Sequence, residues 1–250
     1  MLALPWLVAG CAGEYSTLSP AGPAAAQTAQ LWWVMLVGAA IILIGVMGLA
    51  ILAFTRAGPS RISEKTFLVG GGLIFPIVTM AALLVFALMR GEQLTARPDP
   101  SARVFEAHAV QWRWTFSYPG GEQTDDVLHV PAGEPFQVSI TSEDVIHSFW
   151  VPRLGGKMDA IPGRANLILL KADAPGIYRG MCAEYCGIGH LQMVFEVHAH
   201  PPEAYAARLA EAAAQAASEG VQVPDIGERP APISNRLSDT IRRLLQRVVE

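Results

Sequence analysis

Two uncharged apolar stretches constrain this chain more than anything else in it. Leu31–Phe54 runs for 24 residues and Phe67–Met89 for 23 without an Asp, Glu, Lys or Arg. Roughly 20 apolar residues cross a hydrocarbon core of about 30 Å, so each stretch is long enough to span a bilayer. The linking loop holds Arg56, Arg61 and Lys65 against Glu64 alone, which places it in the cytoplasm and both termini outside. Trp32 and Trp33 then fall at the opposite interface. Pro76 is positioned to kink the second helix, and Gly70–Gly72 permit close packing. The chain is 52% hydrophobic and 16% charged, too apolar for an ordinary soluble domain. That excess is confined to the two stretches, so the remainder reads as one soluble domain on a membrane anchor.

The segment before the anchor (1–29) ends its first apolar run in Leu7-Val8-Ala9-Gly10-Cys11. This is similar to a lipobox, in which the cysteine is lipidated and the preceding residues are cleaved, although no Lys or Arg precedes Arg56 to form a positive leader. The hairpin occupies 30–90. From 101 to 200 the pattern changes to short strands bounded by Pro, Gly, Asp or Asn. Strands are predicted at Arg103–Val110, Trp112–Tyr118, Phe136–Ile140, Ser148–Pro152, Ala165–Ala172, Ile177–Met181 and Gln192–His198. Short strands at this spacing predict an all-β sandwich. The tail (201–250) has an Ala-rich helical segment at Glu203–Glu219 and a Pro-rich linker. Its last segment, Asn235–Glu250, carries Leu237, Ile241, Leu244, Leu245 and Val248 on one helical face. That face suits anionic lipid, a partner subunit or the chain's own domain equally well.

Chemistry concentrates in Cys182-Ala183-Glu184-Tyr185-Cys186-Gly187-Ile188-Gly189-His190-Leu191-Gln192-Met193, where two thiols, an imidazole and a thioether lie within twelve residues. Cys and Met favour copper over hard cations, and imidazole suits copper as well. A second imidazole is available upstream at His147, in Glu143-Asp144-Val145-Ile146-His147-Ser148. Two other readings stay open on residue types alone. A Cys182–Cys186 disulfide fits an oxidising compartment but leaves both histidines and Met193 unused. Tetrahedral zinc on two Cys and two His gives Met193 no role.

The spacing and order of Cys182-x-Glu184-x-Cys186-x-x-x-His190-x-x-Met193, with Asp144-Val145-Ile146-His147-Ser148 upstream, resemble the dinuclear copper site of cytochrome c oxidase subunit II. So do Lys157-Met158-Asp159-Ala160-Ile161-Pro162-Gly163-Arg164, the paired tryptophans of Gln111-Trp112-Arg113-Trp114, and the two-helix anchor. The resemblance covers roughly 30–199 and implies a Greek-key sandwich of cupredoxin type. It implies that Cys182 and Cys186 bridge two coppers, that His147 and His190 each cap one, and that Met193 and the Glu184 carbonyl are weak ligands. The Glu184 side chain would reach a magnesium ion shared with subunit I, and Trp112 would receive electrons from cytochrome c. Subunit I, with its haem and its oxygen chemistry, and subunit III are the implied partners in a bacterial inner membrane. Residues 101–200 hold 11 acidic and 7 basic side chains, a balance of −4. Glu143, Asp144 and Asp159 could therefore steer a cationic donor, and nothing in the charge pattern points to nucleic acid.

Some features depart from the family. Glu64 lies near the position where many members carry a proton-conducting glutamate, but Val69 stands at the aligned place. No Cys-x-x-Cys-His occurs, so no haem c is attached that way. His108, His129, His198 and His200 match no family ligand and read as surface or packing residues. A quinol oxidase subunit II would lack the copper ligands, and nitrous oxide reductase would need a large additional domain. A membrane-tethered copper chaperone is the non-enzymatic alternative, and it would need a mononuclear, exchangeable site.

Overall fold

The computed structural model describes residues 12–55, 63–91 and 99–218. Cys11, the Arg56 and Arg61 of the connecting loop, and the tail with its Asn235–Glu250 segment lie outside the described residues. The chain divides into two compact units, one holding the apolar helices with Pro152–Gly156, the other the rest from Pro98 onward.

In the first unit, α1 (Pro23–Thr55) extends the predicted span back to a proline. Proline suits a first helical position, because its φ is already helical and its missing N–H would have no partner there. The Ala25 N–H, one of the unpaired donors of the first turn, reaches the carbonyl of Leu154 at 3.3 Å, and the Ala21 N–H reaches that of Arg153 at 2.7 Å. The second helix, α2 (Glu64–Gly91), starts on Ser63, whose hydroxyl accepts from the Thr66 N–H. Pro76 cannot donate to the helical ladder. Where a kink was expected, Phe67–Ile74 runs as a wider π-helical stretch, and the Phe75 N–H reaches back to the Gly70 carbonyl. Neither helix buries any residue of its most apolar window. Side chains such as Leu43, Ile44 and Leu88 stay exposed, so the hydrocarbon of a membrane must supply their apolar surroundings.

The second unit is a cupredoxin-like β-sandwich. Its strands are β1 (Arg103–Val110), β2 (Arg113–Ser117), β3 (Gln123–Asp125), β4 (Val127–Pro131), β5 (Pro135–Ser142), β6 (His147–Trp150), β7 (Met158–Ala160), β8 (Asn166–Lys171), β9 (Gly176–Cys182) and β10 (Val194–His200). One sheet has the order β3-β2-β1-β5-β8 and the other β4-β10-β9-β6-β7. The β1–β5 and β4–β10 pairs are parallel and the remaining pairs antiparallel. Alternating burial along β1, β9 and β10 turns one row of side chains inward. The strands absent from the sequence reading are β3, β4 and β7. Two are only three residues long, and β4 is buried at four successive positions, so it shows no alternation.

Between the sheets Trp114, Phe116, Phe149 and Phe195 form an aromatic cluster. Phe149 stacks on Phe195 at 4.6 Å between centroids, and Trp114 meets Phe149 edge-on at 5.7 Å. A helix, α3 (Pro202–Ser218), follows β10 and buries Tyr205 and Leu209. Gly180 in β9 is required by this packing, because a Cβ there would run into the ring of Phe195. That ring is held by Phe149 and cannot swing clear without cost. Gly180→Ala should therefore destabilise the sandwich by about 1–3 kcal/mol. Denaturant unfolding followed by tryptophan fluorescence checks this; an unchanged midpoint would show that the cluster yields freely.

Candidate metal centre

Strand β9 ends on Cys182 and β10 begins at Val194, and the loop between them is tied shut at its base. The Cys182 N–H donates to the Met193 carbonyl at 2.9 Å, and the Ala183 N–H donates to that of Ser148 at 2.9 Å. A short 3₁₀ turn at His190–Gln192 brings the chain back toward β10. Strand β6 pairs with β9 through Phe149 opposite Cys182, which sets His147, at the start of β6, beside the loop. Its ring rests edge-on against Trp114 at 6.3 Å.

The sequence-predicted ligands converge. Cys182 Sγ and Cys186 Sγ are 3.8 Å apart, both buried and both unbridged. His147 Nδ1 lies 3.9 Å from Cys182 Sγ and 3.1 Å from Met193 Sδ. His190 Nδ1 is 3.6 Å from Cys186 Sγ, and Met193 Sδ is 3.8 Å from the same sulfur. The Glu184 carbonyl accepts from the Cys182 thiol at 3.2 Å. His147, Cys182 and Cys186 thus converge with the Met193 thioether in a buried cluster, and half-buried His190 joins it through Cys186. Such a soft donor set fits copper, while zinc would leave the central Met193 unexplained.

The electrostatics of the loop pull the two thiols apart. Burial disfavours a thiolate at Cys182, but hydrogen bonds, chiefly with His147, outweigh it and bring the thiol down to about 6. Burial pushes the Cys186 thiol up to about 12, and the negative charge of Cys182 adds to the effect. Burial also opposes charge on His147, yet its hydrogen bonds with Cys182 and Asp144 raise its pKa. At neutral pH the Cys182 thiol is therefore ionised while the Cys186 thiol keeps its proton. A metal dication held by these residues would compete with the proton on Cys186.

Trp112 lies over the loop. Its indole N–H donates to the Cys186 carbonyl at 3.2 Å, and Gln111 Nε2 donates to the same oxygen at 2.7 Å. A Cβ at Gly189 would strike the indole, so glycine is needed for this close approach. Gly187, at φ +121°, turns the chain beneath it in a conformation that favours glycine.

Of the three acids, Glu143 is exposed and faces His108 Nε2 at 3.4 Å. Asp159 accepts from the Ser148 hydroxyl at 2.8 Å and from Lys157 at 3.0 Å, and Lys157 also reaches Glu184 at 3.3 Å. Asp144 is placed differently from a surface acid. One of its oxygens faces His147 Nε2 at 2.9 Å and accepts from the Val145 N–H, while the other accepts from the Gln111 N–H. This hydrogen bond orients the ring from behind, as carboxylates commonly do for metal-bound histidines. Its signal in the sequence was the three-residue spacing from His147. Also absent from the sequence reading are Tyr185, Ile188 and Leu191, which stand 75%, 92% and 89% exposed around the ligand loop.

Asp144→Asn keeps an oxygen for the turn but removes the charge behind His147. It should weaken metal binding about 10–100-fold, as read by competition with a chelator. Unchanged affinity would reduce Asp144 to a turn residue.

A family model described as cytochrome c oxidase subunit II, periplasmic domain, matches residues 121–200. Cytochrome c oxidase subunit 2 of Alkalihalophilus pseudofirmus is 31% identical over 220 residues, covering 81% of this chain and 64% of that protein. Quinol oxidase subunit 2 of Bacillus cereus is 30% identical over 210 residues, covering 78% of this chain and 72% of that one. Cytochrome c oxidase subunit 2 of Synechocystis is 40% identical over 100 residues, so this chain spans only 30% of its length. The solved periplasmic domain of subunit II of cytochrome oxidase from Bradyrhizobium japonicum superposes with a TM-score of 0.45 at 30% identity, covering 47% of this chain and 97% of the other. With the anchor, the sandwich and the ligand loop as described, the chain belongs to the subunit II family of the haem-copper oxidases.

Proposed function

We propose that this chain takes electrons from cytochrome c and passes them to haem in an oxidase subunit I, where oxygen is reduced to water with proton pumping. The observation that carries this reading is the buried cluster of His147, Cys182, Cys186 and Met193, with His190 set against Cys186 and the Glu184 carbonyl against Cys182. Relatives named quinol oxidase subunit 2 raise a second reading. An electron donor that bypassed this centre would leave two buried, unbridged thiols and their imidazoles without a task.

Two copper ions held here would supply a one-electron redox centre. Cys182 and Cys186 would bridge them, His147 and His190 would cap one each, and Met193 and the Glu184 carbonyl would be weak ligands. Trp112, 36% exposed and hydrogen-bonded to the Cys186 carbonyl, connects the outer surface to the ligand loop. Tyr185, Ile188 and Leu191 offer an apolar docking surface, and Glu143 and Asp159 add negative charge that would steer a basic donor. The Glu184 carboxylate would give one oxygen to a magnesium ion, with Lys157 turning aside. Magnesium is commonly held by one or two carboxylates plus water, and subunit I would complete the shell. The copper domain and both termini would face the periplasm of a bacterial inner membrane. Subunit III and lipid would be further neighbours, with lipid on Cys11 as an additional anchor.

The test is metal stoichiometry and electron paramagnetic resonance on the full chain in detergent. Two coppers per chain sharing one unpaired electron are expected. One copper, or a signal confined to a single nucleus, would refute the reading and favour a chaperone. Trp112→Phe should keep the copper yet slow reduction by ferrocytochrome c by an order of magnitude or more; an unchanged rate would show that electrons arrive elsewhere.

Loading should also depend on pH in a defined direction. The Cys186 thiol, up near 12, must lose its proton, and below about pH 6 Cys182 holds one as well. Copper affinity should therefore rise with pH throughout the range 6–9, more steeply toward its lower end. A flat profile in a chelator-competition titration would mean that both thiols are already ionised.

A further inference from the structure

Strand β10 leaves the copper loop at Met193 and ends at His200. His198 and His200 alternate onto the same face, and the parallel neighbour β4 sets His129 opposite His198. His129 Nδ1 stands 2.8 Å from His200 Nε2, with the two rings stacked 5.1 Å apart and 6° from parallel. The His198 ring is 5.3 Å from that of His129 and 6.3 Å from that of His200. One ring nitrogen from each residue lies within 4.8 Å of the other two.

We propose that His129, His198 and His200 form a second metal site, taking one divalent transition-metal ion, with zinc the best fit. Three imidazoles and a water make a tetrahedral zinc site. Bonds of about 2.0–2.1 Å would set the nitrogens roughly 3.4 Å apart. The His129–His200 nitrogens, at 2.8 Å, stand closer than that and all three lie within 4.8 Å of one another, so ring rotations would complete the geometry. Glu196 Oε2 lies 2.8 Å from His198 Nε2, the carboxylate–histidine pairing that fixes ring orientation at metal sites. His129 is only 7% exposed, and burial, with His198 and His200 beside it, holds it down to about 4. It is therefore neutral at physiological pH, the form that ligates. The positive groups nearby are Arg179, which pairs with Glu196 at 3.7 Å, and Arg208, whose charge reaches His200 but is matched by Glu211 at 3.0 Å.

Packing alone accounts poorly for the cluster. The 2.8 Å contact of His129 with His200 is a hydrogen bond and accounts for those two nitrogens meeting, but not for His198 bringing a third ring nitrogen within reach of both. His198 is five residues along β10 from Met193, about 16 Å in an extended strand, so the site is separate from the copper loop. β4 is an edge strand of its sheet, bonded to β10 alone, and an ion held by all three histidines would clip that edge in place.

The test uses the full chain in detergent, already loaded with copper and dialysed against zinc alone. Elemental analysis should find one zinc per chain in addition to copper. The double variant His198→Gln/His200→Gln should lose that zinc while its copper content and copper spectrum stay as in the wild type. His129, being buried, is left intact so that folding is preserved. Zinc should raise the melting temperature of the wild type and not that of the double variant. If cobalt replaces zinc, its visible spectrum should report nitrogen ligation without thiolate charge transfer. Absence of retained zinc at micromolar concentration in the wild type, or equal retention in the double variant, would overturn the assignment.

Discussion

The chemistry of this domain depends on one backbone hydrogen bond, from the Cys182 N–H to the Met193 carbonyl. It closes a loop whose two ends belong to adjacent antiparallel strands, β9 and β10. Every loop-borne donor is thereby confined to a few ångströms before any ion arrives. The Ala183 N–H bond to Ser148 does the same for β6, and so brings His147 to the loop although 34 residues separate it from Cys182. A centre assembled in this way needs little rearrangement to bind or to change charge. The aromatic cluster behind it, Trp114, Phe149 and Phe195, supplies the rigidity, since stacked rings can move only together.

The opposed acidities of the two thiols follow from the same confinement. Burial disfavours a thiolate at Cys186, and the negative charge of Cys182 only 3.8 Å away adds to it, so one thiol ionises well before the other. His147 faces Cys182 through Nδ1 at 3.9 Å and Asp144 through Nε2 at 2.9 Å, and both contacts favour a proton on its ring. A metal ion bound at Nδ1 would compete with that proton, and Asp144 would still hold the far side of the ring.

Legibility in the sequence followed the range of the interaction. The two spans were readable from composition because a bilayer demands an uninterrupted apolar run. Their ends were less so, since Pro23 and Ser63 act through local capping outside the apolar core. Strands such as β1 and β10 were readable from alternation. β4 was not, because both of its faces are buried, and neither β3 nor β7 is long enough to show a period. The candidate ligands stood out because twelve residues hold four of the metal-binding side chains. The histidine trio did not, because His129 is 69 residues from His198 and only the parallel β4–β10 pairing unites them. The contact of Asp144 with His147 was hidden for a related reason: as a sequence neighbour of Glu143 it reads as a surface acid, and only the fold sets its carboxylate against the ring.

The surface around the loop combines two features that seldom occur together on a soluble domain. Ile188 and Leu191 are almost wholly exposed and Tyr185 largely so, while the flanking side chains Glu143 and Asp159 are acidic. Exposed apolar side chains cost solubility, and a chain that retains them at its metal loop gains something from a partner. Burying apolar surface requires no stripping of water from charges, so an apolar centre gives a contact that forms and breaks quickly. Acidic side chains at the edge act at longer range, through a screened field that raises the rate of encounter without tightening the final contact. The proposed relay, releasing its donor after each electron, would use that division: steering at the rim, a small dry contact at the centre, and Trp112 between that contact and the ligand loop.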